Sequence, residues 1–310
     1  MKLVHNFLPG ALSTVVNAYF FAAAGFFLAG HVHEKGWWAR EIEKRFWSLV
    51  VPYFALNAVL FALLAVYQWP DVRFPVDKPG CFGIDLLRAL GVWGAENPVD
   101  GPLWFVRSLV LYVIAMPLFM PFIRNRYCAA ASCGCLFLMN CIDAWQPHLP
   151  ETAYWIFRPQ WLAFFLGGAA VRMHGVPRFA VKHGWVLLAA GCILACYAHP
   201  NKAEGEVIAF YNAVRWIGRP VLIAGLLGAM PAARWPKALT GNSFGIYALH
   251  WPFTMSAYIV GGHLGIFETC FGNVAINVLF MVLVIVATIG LSELLKRLPV
   301  LDSLLLGGRR

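Results

Sequence analysis

An all-α, polytopic transmembrane helix bundle is the fold class that this sequence predicts. Hydrophobic residues make up 60% of the 310 residues and charged residues only 13%, whereas globular domains contain about 45–50% apolar and about 25% charged residues. The mean hydropathy is correspondingly high, at +0.67. Apolar runs that approach the length of a bilayer crossing recur along the whole chain. Because no polar linker of domain size interrupts these runs, we interpret residues 1–310 as a single membrane-embedded domain.

The apolar runs divide into about nine full spans and the remnant of a first span. Met1 to Pro9 resembles the end of a span whose beginning is missing, because a crossing helix needs about 20 apolar residues. This stretch has neither the basic region nor the small-residue cleavage site of a signal peptide. The complete spans are expected at residues 13–30, 46–67, 103–123, 128–145, 157–172, 184–199, 216–231, 243–260 and 273–292.

Basic residues are distributed unevenly between the turns on the two sides of these spans. Fifteen of the 24 Lys and Arg residues, but only five of the 15 acidic residues, fall in one set of turns, at 31–45, 124–127, 172–183, 232–241 and 293–310. Cytoplasmic turns carry an excess of Lys and Arg, so we assign this set to the cytoplasm. His5 and the loop from Gln68 to Gly101 are then expected on the outer side, and the C-terminus inside.

The outer loop is rich in proline and is the longest polar segment of the chain. Within it, Gly83 to Gly94 places Ile84, Leu87 and Leu90 on one helical face, which predicts a short helix on the membrane surface. Such a helix either caps a site that opens outward or only tethers the neighbouring spans.

Charge and cysteine content argue against two kinds of partner. The net charge of +9 does not indicate nucleic-acid binding, because the basic residues are spread over short turns and form no stripe on a soluble face. The eight cysteines lie mostly within apolar runs, without paired C-x-x-C spacing or neighbouring histidines. We therefore expect no nucleic acid and no metal, and we interpret the cysteines as packing residues.

Several short motifs follow one another in order along nearly the whole chain. They are His5 on the span remnant, Phe20-Phe21-Ala22-Ala23-Ala24-Gly25-Phe26-Phe27, Lys44-Arg45 followed by Pro52-Tyr53, Gly101-Pro102-Leu103-Trp104-Phe105, Trp161-Leu162-Ala163-Phe164-Phe165-Leu166-Gly167, and Gly241-Asn242-Ser243-Phe244-Gly245-Ile246-Tyr247-Ala248-Leu249-His250-Trp251-Pro252. The ordered set resembles acyltransferase family 3. The resemblance implies an integral membrane enzyme that transfers an acyl group, usually acetyl from acetyl-CoA, to a hydroxyl group of a sugar or another acceptor.

The resemblance also sets the expected partners and location. Acetyl-CoA is the expected co-substrate, a carbohydrate or cell-envelope glycan the expected acceptor, and the inner cell membrane the expected site of this multi-pass protein. The family pairs an arginine early in the first span with a histidine eleven positions later, but no residue of this sequence lies that far upstream of His5. Either the start of the protein sequence is assigned too late, or this copy of the family is a remnant. Ala24 stands where the family often has serine, a change that preserves close helix packing.

His5 is the catalytic residue that the resemblance implies. An acceptor hydroxyl is a poor nucleophile until its proton is withdrawn, and histidine, with an unperturbed pKa near 6.5, suits that role at neutral pH. The alternative interpretation is an interfacial histidine near a chain terminus.

Cations at the cytoplasmic start of a span are the candidate cofactor-binding residues. Lys44 and Arg45, with Arg40 one turn earlier, can form charge-assisted hydrogen bonds with the phosphates of coenzyme A. Ordinary positive-inside anchoring explains the same residues without any ligand.

The candidate substrate-binding residues lie toward the outer side. Arg107 follows Trp104 by three positions on the same helical face, and Arg158 and Arg219 each precede a proline. Charges at such depth are unfavourable unless they face a cavity or extend to the interface. His250, in the span that begins near Ser243, completes the set. Interfacial aromatic belts are an alternative explanation for Trp104.

Two other functional classes stay open at this point. A carrier of a polar envelope precursor would also have proline-broken spans and interior arginines, although no inverted repeat relates the two halves of the sequence. A membrane protein that only binds other proteins is the third interpretation. The sequence does not indicate an oligomeric state.

Overall fold

The computed structural model describes residues 13–66, 90–91, 101–142, 149–197, 206–229, 242–263 and 274–308. This part of the chain is helical and contains no strand, which confirms the all-α class. His5 and most of the expected surface helix at Gly83 to Gly94 lie outside the described residues. Among the residues described, three helices are long and apolar enough to cross a membrane, at Trp37–Ala62, Gly101–Arg124 and Leu279–Lys296. The protein is therefore a membrane protein, and the count of nine spans stays a prediction.

The helices are labelled in chain order. They are α1 Ser13–Ala29, α2 Trp37–Arg45, α3 Val51–Val66, α4 Trp104–Arg124, α5 Arg126–Cys141, α6 Glu151–Phe157, α7 Leu162–His174, α8 Arg178–Lys182, α9 Gly184–Tyr197, α10 Glu206–Ala229, α11 Ser243–His263, α12 Val274–Lys296 and α13 Pro299–Leu301. Two π-helical turns accompany them, one at Phe46–Val50 between α2 and α3, and one at Asp302–Leu306 after α13.

The second span begins earlier than the sequence predicted. Residues 31–45 were expected as a turn, but α2 already begins at Trp37 and continues through the π turn into α3. The physical reason is that α2 is amphipathic, with Trp37 only partly exposed and Glu41 buried while Arg40 and Lys44 remain exposed. Its charged residues interrupt the apolar run in the sequence, so hydrophobicity alone places the start of this span later than the helix begins.

The helices form two compact units. The first comprises Met1–Ile42 and Leu111–Ala233, and the second comprises Glu43–Val110 and Arg234–Arg310. Each unit is assembled from segments that are distant in sequence, so neither corresponds to a continuous half of the chain. The prediction of a single domain over residues 1–310 stays a prediction.

Close packing of α1 against α7 organises the first unit. Gly25 lies against the backbone of Phe165, and Gly168 lies against the backbone of Ala22, so closely that a Cβ atom at either glycine would overlap it. Small residues allow helices in a membrane to approach until their backbones touch, which increases van der Waals contact. The small residues of α1 and α7 therefore hold α1 against α7. In the same unit, α9 packs along α10.

Polar contacts connect α11 and α12 in the second unit. Asn242 Nδ2 donates to Glu293 Oε1 at 2.8 Å, and Lys296 Nζ donates to Asn242 Oδ1 at 2.7 Å. Lys296 also lies 3.0 Å from Glu293, which closes a three-residue network. Because Asn242 is buried and directly precedes α11, the network fixes where α11 begins relative to the end of α12.

Candidate functional site

The second unit contains a cavity with a volume of about 1020 Å³, near the upper end of the roughly 300–1,000 Å³ typical of cofactor pockets. The residues lining it are Lys44, Arg45, Trp47, Ser48, Leu49, Ser243, Phe244, Ser303, Leu306, Gly307 and Gly308. Two of the three cations expected to bind the cofactor are therefore in this lining. None of the described residues that line the cavity carries a carboxylate.

Two π turns shape the cavity. The π turn at Phe46–Val50 follows Arg45 directly and places Trp47, Ser48 and Leu49 in the lining. Single π turns within helices are frequent at functional sites. The second π turn, Asp302–Leu306, packs against the first turn and against α3. The segment that carries Lys44 and Arg45 is thus supported by the C-terminal end of the described chain.

The cavity has the chemistry of a site for an anion with an apolar part. Lys44 and Arg45 can donate charge-assisted hydrogen bonds to phosphate oxygens. Hydroxyl groups come from Ser48, Ser243 and Ser303, and apolar surface comes from Trp47, Phe244 and Leu306. Ser243 and Phe244 are placed by the network around Asn242, because they are the first two residues of α11.

Arg40, the third predicted cofactor-binding cation, is engaged differently. Its Nη2 atom lies 2.6 Å from Glu34 Oε2, and His31 Nδ1 lies 3.2 Å from Glu34 Oε1. The hydrogen bond from His31, together with the charge of Arg40, lowers the pKa of the Glu34 carboxyl group. Arg40 is not in the lining of the cavity, so its assignment to the cofactor has no structural support.

Arg107 is half-buried and fixed by the segment that precedes α4. It donates to the carbonyl oxygen of Gly91 and has a side-chain hydrogen bond with Tyr53. Tyr53 in turn donates to Leu90 O at 2.6 Å, and Asn57 Nδ2 donates to Tyr53 O at 2.8 Å. This chain of hydrogen bonds holds Arg107 in one orientation within the second unit.

Trp104 and His250 lie near a tyrosine of α11. Tyr247 donates to the carbonyl oxygen of Pro102, and its ring packs edge-on against Phe105, whose own ring contacts Trp104. His250 Nδ1 donates to Tyr247 O at 2.5 Å. Since Nδ1 carries the donated proton, Nε2 of a neutral His250 is left as a proton acceptor. Trp104, Arg107 and His250 are thus all in the second unit.

Arg158 lies in the first unit, in a conformation unusual for its residue type. It is buried, with φ 49° and ψ 61°, between α6 and the short 3₁₀ turn Pro159–Trp161. Left-handed backbone is disfavoured for a residue with a side chain, and the residue before a proline normally prefers extended backbone. Tyr112, fully buried in α4, donates its hydroxyl group to Arg158 O at 2.6 Å. This bond helps to hold the strained residue.

Arg219 lies in an aromatic cluster of the same unit. Its guanidinium carbon is 3.9 Å from the ring centroid of Trp216 and 4.9 Å from that of Trp161. Trp161 stacks on Phe21 with a centroid separation of 5.7 Å, and Trp216 stacks on Phe164 at 6.1 Å. Cation–π contact favours a charged side chain that is removed from water. Arg219 is therefore held by the faces of two indole rings.

The structure thus divides the predicted substrate-binding residues between the units: Trp104, Arg107 and His250 in the second, Arg158 and Arg219 in the first. Sequence reasoning missed the tyrosines that fix the arginines, Tyr53 and Tyr112, and also Trp216 and Tyr247. A usable signal was present, because a tyrosine hydroxyl group within an apolar span must find a hydrogen-bond partner. The sequence does not indicate which partner it finds.

Comparison with known proteins gives a match at the level of the family. The sequence model of acyltransferase family 3, described as an acyltransferase domain, matches residues 2–296. This range contains every predicted site residue, including His5. No curated protein matches the chain, and no solved structure matches it.

Proposed function

Because the chain belongs to acyltransferase family 3, we propose that it transfers an acetyl group from acetyl-CoA to a hydroxyl group of a carbohydrate in the cell envelope. The observation that carries the donor assignment is the cavity lined by Lys44 and Arg45. A multi-pass location in the inner cell membrane is part of the proposal, because the donor is cytoplasmic and an envelope acceptor lies on the other side.

In this proposal the donor binds through its phosphates. Lys44 and Arg45 bind the phosphate groups, Ser48 and Ser243 add neutral hydrogen bonds, and Trp47 provides a face for the adenine ring. The acyl-bearing arm of coenzyme A is long and thin, so it can enter the helix bundle while the nucleotide stays at the cytoplasmic end. Arg40 is not needed for this arrangement.

The reaction is a direct acyl transfer with His5 as general base. The acceptor hydroxyl oxygen forms a bond with the thioester carbonyl carbon as its proton passes to the imidazole of His5. The carbon–sulfur bond then breaks, and the leaving thiolate of coenzyme A takes up the proton. The products are the acyl ester and free coenzyme A, so that no redox step or metal is required.

The acceptor is proposed to contact the outward aromatic and basic residues. Trp104 provides a flat apolar surface for a sugar ring, and Arg107 and His250 provide hydrogen bonds in the second unit. Arg158 and Arg219, in the first unit, are separate candidates for binding the acceptor. Both are buried in a membrane protein, where arginine is rare unless it serves a substrate or pathway.

Replacing Lys44 and Arg45 together by glutamine tests the donor site. Loss of two charge-assisted contacts is expected to weaken acetyl-CoA binding by about 3 kcal/mol, on the order of a hundredfold. The measurement is equilibrium dialysis of labelled acetyl-CoA against the purified, detergent-solubilised protein. The matched control replaces Arg178 and Lys182, which lie in another predicted cytoplasmic turn and do not line the cavity. Unchanged binding by the Lys44 and Arg45 variant would restrict these residues to a role in topology.

Replacing His5 by alanine tests the catalytic base. General-base catalysis typically contributes about 10²–10⁴-fold, so His5→Ala is expected to lower acetyl transfer by that order while acetyl-CoA binding is retained. The measurement is transfer of labelled acetyl to envelope glycan in membranes carrying each variant, with His250→Ala expected to have a smaller effect. Near-normal transfer by His5→Ala would reject this base, and absence of transfer by the unaltered protein would favour a carrier.

A further inference from the structure

Part of the cation-lined cavity is formed by residues that follow the family domain. The match to acyltransferase family 3 ends at residue 296, but Ser303, Leu306, Gly307 and Gly308 are among the residues that line the cavity. They belong to the segment Asp302–Gly308, which comprises the second π turn and two glycines and is called here the C-terminal wall. The family domain therefore does not enclose this cavity by itself.

The C-terminal wall lies against the element that carries the cations. Gly307 ends the π turn with φ 66° and ψ 31°, a left-handed conformation that glycine adopts without strain. Its Cα atom lies next to Ser48, and a Cβ atom there would lie within 3 Å of the Ser48 backbone. Ser48 belongs to the π turn directly after Arg45. The position of the wall is thus set by a backbone contact that only glycine permits.

The wall also has fixed contacts on its other sides. Its π turn packs against α3 and against α12, and Gly308 N donates to Asp302 O at 3.1 Å, which closes the turn. A segment held by two helices and by an internal hydrogen bond presents its side chains in one orientation. Ser303 and Leu306 then offer a hydroxyl group and an apolar surface to whatever occupies the cavity.

We propose that the C-terminal wall is part of the donor site, in which Gly307 positions the wall against Ser48 and Ser303 contacts the nucleotide part of the acyl donor. This inference rests on the proposed function, because it takes the donor to be acetyl-CoA. It adds a specificity-determining segment that lies outside the family domain.

The first experiment introduces a large side chain into the cavity from the C-terminal wall. Ser303→Trp places a large ring in the lining and is expected to raise the Kd for acetyl-CoA at least about tenfold, because it occupies the volume of the ligand. Leu304→Trp is the matched control, since Leu304 is exposed in the same turn and does not line the cavity. Binding is measured on the purified full chain by equilibrium dialysis of labelled acetyl-CoA.

A second pair of variants tests the position of the wall. Gly307→Ala is expected to raise KM for acetyl-CoA with little change in kcat, because the new methyl group displaces the wall from Ser48. Gly36→Ala is its control, since Gly36 also has a left-handed φ of 71° but has no atom within 4 Å of the position that a Cβ atom would take. Gly36→Ala therefore introduces the same kind of backbone strain as Gly307→Ala but no steric overlap with a neighbouring residue.

The outcomes separate this inference from the proposed function. Weaker acetyl-CoA binding by Ser303→Trp, with Leu304→Trp unchanged, supports the C-terminal wall as part of the donor site. Equal affinities of Ser303→Trp and the unaltered protein would overturn the inference and leave the donor site at Lys44 and Arg45 intact. If the unaltered protein does not bind acetyl-CoA, both the proposed donor and the inference fail.

Discussion

Arg158 shows how a single strained residue is held in the first unit. A left-handed conformation outside glycine costs about 1–3 kcal/mol and persists only where the surroundings determine it. Hydrogen bonds of the backbone help to hold this residue: Tyr112 donates to its carbonyl oxygen, Trp161 N donates to the same oxygen at 3.1 Å, and its own N–H donates to Tyr154 O at 2.8 Å. Strain of this kind is often found at binding sites, which agrees with the proposed contact between Arg158 and the acceptor.

Removing the tyrosine hydroxyl group is therefore expected to affect both stability and activity. Tyr112→Phe loses one buried hydrogen bond and should lower the free energy of unfolding by about 1–2 kcal/mol. It should also raise KM for the acceptor, because Arg158 loses one of the hydrogen bonds that hold its strained backbone, while affinity for acetyl-CoA is unchanged. Denaturant unfolding in detergent and the labelled-acetyl transfer assay measure the two effects.

An exposed tyrosine provides the control for this substitution. Tyr127 is 69% exposed and contacts Arg126 at the start of α5, so that Tyr127→Phe should change stability by less than about 0.5 kcal/mol. An equal response of both variants would mean that the hydrogen bond from Tyr112 to Arg158 O does not stabilise the strained residue.

At the residue scale, the sequence was informative about charges and less so about their partners. Lys44 and Arg45 were predicted as donor-site cations and line the cavity. Trp216 lies three residues before Arg219 on α10, a spacing that places both on one helical face, so their contact could have been predicted. The pairing of Tyr112 with Arg158 could not, because these residues are 46 positions apart in sequence. Hydrophobic periodicity contains no information on such long-range contacts.

At the element scale, the contact between α1 and α7 depends on small residues more than on hydrophobicity. Lipid tails are as apolar as leucine, so helices associate in the membrane through packing and hydrogen bonds. The two adjacent glycines of α7 differ in this respect. Gly168 lies against the Ala22 backbone, whereas a methyl group on Gly167 would have no neighbouring heavy atom within 4 Å.

Alanine substitutions at these two glycines should have opposite effects. Gly168→Ala places a methyl group where the backbone of α1 lies, so that the helices must separate, and should lower stability by about 1–3 kcal/mol. Gly167→Ala meets open space and should stabilise α7 by about 0.5–1 kcal/mol, the usual gain of alanine over glycine within a helix. Thermal unfolding of both variants in the same detergent tests the prediction, and a loss of stability on Gly167→Ala would contradict it.

Helix positions were easier to predict than helix boundaries. The apolar runs at 103–123 and 243–260 correspond to α4 and α11 within a few residues, because every backbone polar group in a membrane must be satisfied and a helix does so locally. The start of α2 at Trp37 was missed because that helix has charged residues on its exposed face. The π turns were missed as well, since composition does not distinguish a π turn from the α-helix around it.

At the scale of the whole molecule, the two units could not have been predicted from the sequence. Each is assembled from segments that are distant in sequence, and the contacts that join those segments are not visible in a hydropathy pattern. The distribution of basic residues is different, because it depends only on where each turn lies in the sequence. This charge pattern therefore predicts an orientation that does not depend on helix packing.

The orientation is tested by reporter fusions at the turns. The set of turns that holds fifteen of the 24 Lys and Arg residues is expected in the cytoplasm, because translocating a basic turn across the membrane is disfavoured. Fusions after Lys35, Asn125, Arg178 and Pro236 should report a cytoplasmic position, and fusions after Gly80 and Gly205 an outer one. The same orientation puts Lys44 and Arg45 on the side where acetyl-CoA is made and His5 toward an acceptor outside. A cytoplasmic signal from the fusion after Gly80 would contradict this orientation. The transfer of acetyl groups to an envelope acceptor would then lose its physical basis.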